Sequence, residues 1–142
     1  DLDSWKNVID VNLFGAFNLI HTVLPYMRDK KFGRIINFSS VVAQKPIAGT
    51  SAYAASKSAL WGMAKSIAAE NAALGITINN INLGYFDIGM IGEVPDKIQE
   101  HVKAGIPSGK FGPPSDILST VDYLVATGYI NGTSIDLSSG LV

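Results

Sequence analysis

The sequence predicts an α/β fold in which helices cover a parallel sheet. Strand-length apolar runs alternate with longer helical stretches, in the order helix, strand, helix, strand, irregular segment, helix, strand. Residues 34–38 (RIINF) form a short run with two adjacent isoleucines, bounded by Gly33 and Ser39, which is the pattern of a central strand buried on both faces. Residues 51–74 are rich in alanine and end at Gly75, which suits a long helix lying close to a sheet and closed by a glycine cap. A chain of 142 residues is sized for one domain with a proper core.

The elements follow in order. Asp1 or Asp3 is placed to cap a helix reaching to about residue 29. Its body is apolar on most sides, so it is expected to be covered on more than one face. Pro25 is expected to kink it or to open its last turn. After the strand at 34–38, Ser39 and Ser40 close the run and residues 43–50 form a loop containing Pro46 and Gly49. Residues 76–83 (ITINNINL) read as the second strand, and Gly84 follows. Residues 85–112 are irregular, with one short amphipathic helix near 95–104. A long insertion at a strand's carboxyl end is typical of a lid over a site. Pro113 and Pro114 start a helix running to about residue 126, and residues 134–137 form the last strand. The first strand reads as central, yet three strands in this order leave it at an edge. The chain is therefore expected to belong to a larger sheet or to have that edge covered by a partner.

Composition narrows the function. Apolar residues make up 47% and charged residues 16%, an excess that points to buried contacts beyond a single small core. The net charge of −1 gives no electrostatic case for nucleic acid or an anionic membrane. No apolar run reaches membrane-span length, and no membrane partner is expected. The chain has no cysteine, which excludes disulfides and thiolate metal sites and fits a reducing, cytoplasmic compartment. His21 and His101 stand far apart, so no metal site is expected. The stretch GIPSGK at 105–110 lacks the spacing, the following Ser or Thr, and the leading strand of a phosphate loop. Asn131-Gly132-Thr133 fits a glycosylation pattern but reads more simply as a turn.

The chemistry concentrates in residues 33–57. Ser40 stands at a strand's carboxyl end, where ligands of open α/β sheets bind. Tyr53 and Lys57 are spaced i, i+4 and leave one helix face together. A free tyrosine holds its proton to a pKa of about 10, and a neighbouring ammonium favours the phenolate. A serine donating to a substrate oxygen beside such a tyrosine suits the interconversion of an alcohol and a carbonyl.

Asn12 within DVNLFG, the strand RIINFSS, the thirteen-residue step from Ser40 to Tyr53, the run YAASK, Glu70 in AAENAALGITINNIN, and Gly84 occur together and in order. This set resembles the short-chain dehydrogenase/reductase family, and within it the 3-oxoacyl-thioester and acetoacetyl-CoA reductases. GKFGPPSDI and NGTSIDLSSG resemble that family's closing segments. The resemblance covers nearly the whole chain and implies a Rossmann-like doubly wound parallel sheet, of which these residues are the C-terminal part: three parallel strands with covering helices. It implies NAD or NADP as cofactor and a small carbonyl or alcohol as substrate. It also implies a homo-dimer or homo-tetramer built through the two long helices. The implied catalytic residues are Ser40 as oxygen donor, Tyr53 as general acid/base, Lys57 as its ammonium neighbour and ribose holder, and Asn12 as holder of a relay water. Tyr53, Lys57, Gly84 and the backbone of Phe86 are the implied cofactor neighbours.

The sequence also departs from the family. Leu83-Gly84 stands where Pro-Gly is usual, Ile88 where a carboxamide-holding Thr is common, and Ser138-Ser139 where Asp-Gly is common. The connection at 127–129 is a few residues short. No G-x-G-x-x-G occurs in the chain, so the expected domain is the catalytic C-terminal part, residues 1–142, without the dinucleotide-binding half. The rival expectation is a non-catalytic, oligomer-forming fragment or pseudoenzyme of the same fold.

Overall fold

The structure is a computed structural model that describes residues 1–45 and 47–142, with Met90 through its backbone alone. The sequence reading that put Pro46 in a loop lies outside the described residues. Three strands run parallel in the order β1 (Gly33–Ser40), β2 (Ile76–Leu83), β3 (Ser134–Leu137). Among the described residues five α-helices accompany them: α1 (Leu2–Ile9), α2 (Gly15–Lys30), α3 (Ser51–Asn71), α4 (Asp96–Ala104) and α5 (Pro114–Ala126). Short 3-10 turns cover Val41–Ala43, Ala72–Leu74 and Gly89–Glu93.

Asp1 caps the first helix, taking the Ser4 amide at 2.9 Å. The helical run then differs from expectation. Its irregularity is a π-helical turn at Asp10–Phe14, and Pro25 lies inside α2. A π turn slips the hydrogen bonds to i+5 and adds a residue to one face, which leaves no mark in composition. The run Leu2–Lys30 is continuous through this turn and is long and apolar enough, by length and composition, to cross a membrane. This corrects the sequence reading that no apolar run of the chain reaches membrane-span length. Within the chain only one side of the run is packed, against the expectation of cover on more than one face: α1 lies on α3, α2 lies on β1, and Ile20 and Leu24 are buried, while most of the run is open.

The strand β1 is longer than residues 34–38. Gly33, Ser39 and Ser40 are drawn into it by parallel pairing with Ile76, Asn82 and Leu83 of β2. Helix α3 ends in a 3-10 turn closed by Gly75 at φ 70°, where a Cβ would stand 2.6 Å from the carbonyl oxygen of Lys31.

The core lies between one sheet face and α2 with α3. Ile20, Ala64, Ala68 and Ile78 form it, with Ile35, Met63 and Ile67 packed against them. The small alanines let α3 sit low on the sheet. Burying a side chain such as Ile78 contributes about 1.5–3 kcal/mol. Toward the strands' carboxyl ends the same face turns polar. Asn37 donates to Asn80 at 3.1 Å and Asn80 to Ser134 at 3.0 Å, one rung across all three strands. The other face is covered by α5 through Leu124, and Arg34 closes that helix's end by donating to the Val125 carbonyl at 3.0 Å. The segment before β3 clasps β2: Asn131 accepts from the Ile78 amide and donates to the Ile76 carbonyl. Asn131-Gly132-Thr133 is thus a structural turn.

As the strand order required, β1 is an edge strand, and Phe38 on it is 46% exposed. Val11, Phe14, Phe17, Leu19, Val23 and Tyr26 leave much of the α1–α2 run apolar and open.

Candidate active site

Each candidate side chain owes its place to a backbone element. Ser40 is the last residue of β1, with extended backbone, and is buried. Its Oγ accepts the Val42 amide at 3.2 Å, which starts the 3-10 turn and leaves its own proton free to be donated. The loop that follows returns the chain to α3, whose first turn carries Tyr53 and whose second carries Lys57. Tyr53 is 37% exposed. The Lys57 Nζ stands 5.6 Å from the centre of the Tyr53 ring and donates to the Phe38 carbonyl at 2.8 Å. That bond uses one of three ammonium protons. Burial lowers the Lys57 pKa below its ordinary value.

Ser40, Tyr53, Gly84 and Phe86 line one cleft of about 490 Å³. Its remaining walls are aliphatic or aromatic: Val41, Val42, Leu83, Tyr85, Ile88, Ile91, Val94 and Ile117. The segment expected to act as a lid does supply one side of it. Among the described residues no charged side chain lines this cleft. Gly84 lies where β2 and β3 end side by side, and a Cβ there would meet the Ser138 Cα at 3.0 Å. Phe86 bridges to Gly112, and its ring occupies the space a Gly112 Cβ would need, 2.6 Å away.

Lys57 and Asn12 open on the other side, into a groove of about 800 Å³ between the α1–α2 run and the edge of β1. Asn12 sits mid-way in the π turn. Its amide donates to Ser56 Oγ at 3.4 Å, and Ser56 in turn donates to the Tyr53 carbonyl at 2.7 Å. Asn12 thus reaches α3 through the residue before Lys57. The structure gathers four candidates, Ser40, Tyr53, Gly84 and Phe86, in one cleft and the other two, Lys57 and Asn12, in a separate groove. Among the described residues no group of three His, Cys, Asp or Glu could hold a metal ion.

Sequence reasoning passed over a set of polar residues behind this site. Ser39, Asn82 and Asp136 stand side by side across β1, β2 and β3, with Trp61 of α3 bonded to the first two. The signal was present: each strand ends with polar residues two apart, Asn37 and Ser39, Asn80 and Asn82, Ser134 and Asp136, which puts them on one face.

The short chain dehydrogenase family profile matches residues 1–99. An acetoacetyl-CoA reductase of Shinella zoogloeoides is 40% identical over 141 residues, covering 97% of this chain and 58% of that protein. A 3-oxoacyl-[acyl-carrier-protein] reductase of Thermotoga maritima is 37% identical over 142 residues, covering 99% and 58%. The crystal structure of 3-oxoacyl-[acyl-carrier protein] reductase from Brucella melitensis superposes with a TM-score of 0.92 at 30% identity, covering 99% of this chain and 53% of that one. The chain spans little more than half the length of the relatives it matches.

Proposed function

The chain belongs to the short chain dehydrogenase family, and from that membership and the site we propose that it is the catalytic, C-terminal part of a single Rossmann-like domain. The whole protein is then an NAD(P)-dependent reductase of the 3-oxoacyl-thioester type, interconverting a carbonyl and an alcohol. One observation carries the reading: Ser40 and Tyr53 open together on an apolar cleft, with the Lys57 ammonium 5.6 Å from the tyrosine ring.

In the reducing direction a nicotinamide cofactor, when bound, would supply the hydride for the carbonyl carbon. Ser40 donates its free O–H to the carbonyl oxygen and fixes its direction. Tyr53 gives that oxygen a proton as the C=O π bond becomes the alcohol C–O bond. Lys57 returns a proton to Tyr53 from the groove it shares with Asn12, where an ordered water would complete the relay. The residues present suit the cofactor: the two Lys57 protons not used by Phe38 would be available to ribose hydroxyls. The uncharged walls of the cleft favour a substrate whose acid is masked as a thioester.

The test is turnover by the full-length protein with NADPH or NADH and a panel of 3-ketoacyl thioesters. Tyr53→Phe is expected to lower turnover by about 10²-fold or more with the fold intact; retained activity in that variant would sink the assignment. The open apolar face of the α1–α2 run favours a second reading, a non-catalytic protein whose role is assembly. Cofactor titration of the full-length protein by fluorescence separates the two, since tight saturable binding belongs only to the first.

A further inference from the structure

Tyr53 and Lys57 are two members of a longer stripe. Trp61 follows at the next i+4 position, so the three side chains leave α3 on one line. The indole N–H is shared between Ser39 Oγ at 3.1 Å and Asn82 Oδ1 at 2.9 Å. Ser39 donates to the Lys57 carbonyl at 3.0 Å, and Asn82 donates to Asp136 Oδ1 at 2.7 Å. Gln44, from the segment just beyond Ser40, donates to the same Asp136 oxygen at 2.6 Å. Ser39 and Asn82 are buried, whereas Asp136 and Gln44 reach the surface.

The consequence concerns Lys57. Its ammonium is held by the Phe38 carbonyl and its own carbonyl by Ser39, the two residues before Ser40. Anything that fixes Ser39 against α3 therefore fixes how far Ser40 stands from Tyr53 and Lys57. Trp61 does this from the helix. Asn82 and Asp136 hold Trp61 from the neighbouring strands, and Gln44 ties the segment after Ser40 to the same carboxylate.

We propose that Trp61, Asn82 and Asp136 are positioning residues of the catalytic site, setting the height of α3 over β1 and with it the spacing of Ser40, Tyr53 and Lys57. The inference rests on the reductase reading. A small displacement of pre-set groups lowers the rate of chemistry more than it weakens binding.

The experiment uses the full-length protein. Trp61→Phe keeps an aromatic ring and removes the N–H; it is expected to lower kcat about tenfold with KM changed less than about twofold. Because Trp61→Phe leaves a buried amide oxygen unpaired and could impair folding, a second pair reads the exposed end of the network. Asp136→Ala is expected to lower kcat by about threefold or more, and Asp136→Asn, which still accepts both hydrogen bonds, to restore it. Leu124→Ala, under the opposite sheet face, serves as the control for lost stability alone and should leave kcat unchanged below its melting temperature. The Trp61 indole N–H resonance, assigned by its absence from Trp61→Phe, should move in Asp136→Ala and return in Asp136→Asn. An unmoved resonance, or wild-type kcat in Asp136→Ala, overturns the proposal, as does a kcat loss that Asp136→Asn shares in full. Absence of turnover in the unsubstituted protein overturns the reductase reading instead, and the indole resonance still decides whether the network exists.

Discussion

Lys57 is tied at both ends to the strand that carries Ser40, and its ammonium is partly removed from water. Desolvation lowers its pKa, so between that lowered value and the ordinary lysine value of about 10.4 the unfolded chain binds more protons than the folded one. Stability from this group therefore rises with pH across that alkaline window, and the burial penalty is present in full below it. Lys57→Met removes the penalty together with the bond to Phe38. The stability of the variant minus that of the unsubstituted protein should thus be most favourable near neutral pH and should fall as pH climbs through the window. Urea melts at a series of pH values measure this; a difference that is flat or grows with pH contradicts it. Gly75 makes a second residue-level case. Its φ is positive, and a Cβ at this position would lie 2.6 Å from the Lys31 carbonyl oxygen, so there is no room for a side chain. Gly75→Ala should cost about 1–3 kcal/mol in denaturant unfolding while leaving the cleft unaltered.

At the scale of elements, the polar rung across the sheet gives a prediction that pairing alone does not. Asn80 is fully buried and serves Asn37 on one side and Ser134 on the other. Asn80→Val should cost about 1–3 kcal/mol, because the Asn37 amide is left without its acceptor. Adding Asn37→Val should cost much less than its single effect, with a coupling of about 0.5–3 kcal/mol in the double-mutant cycle. Strict additivity in thermal or urea melts would show that the rung does not act as a unit. The elements themselves were largely legible in sequence. Helix starts at Asp1 and Pro114, the glycine cap at residue 75 and the three strand positions all follow from local chemistry. The π turn was not legible, because a slip of hydrogen bonds to i+5 uses the same residue types as an α-helix. Nor were the ends of β1, where Gly33, Ser39 and Ser40 look like turn residues until β2 supplies their partners. The Tyr53–Lys57 spacing and the position of Ser40 could be read from periodicity. Asp136 could not be tied to them, since its contact with Asn82 depends on how β3 registers against β2, a relation between segments 54 residues apart.

For the whole molecule, the central question is what covers two different apolar stripes on one helical run. Val11, Leu19 and Val23 face the groove along the open edge of β1. That edge presents unpaired backbone groups, and the relatives carry additional chain beyond the 58% matched here. The proposed domain therefore uses this stripe to complete its own sheet. Phe14 and Phe17 lie away from the groove and are exposed, and Phe17 stacks on His21 at 5.7 Å. Helix α3, packed beside α1, adds an exposed line of small residues, Ala55, Gly62, Ser66 and Ala69, with open space over Gly62. Small residues beside protruding aromatics suit close packing of helices from a second copy, which is how the homo-oligomer expected from the family resemblance would be built. The two stripes should then respond differently to a charge. In the full-length protein, Phe17→Glu should reduce the mass seen by light scattering to a smaller species while its melting curve stays cooperative. Leu19→Glu should instead lower unfolding stability by about 3–5 kcal/mol, since an unpaired carboxylate would be trapped inside the domain. Dissociation by Leu19→Glu with an unchanged fold, and an intact assembly in Phe17→Glu, would reverse the assignment of the two faces.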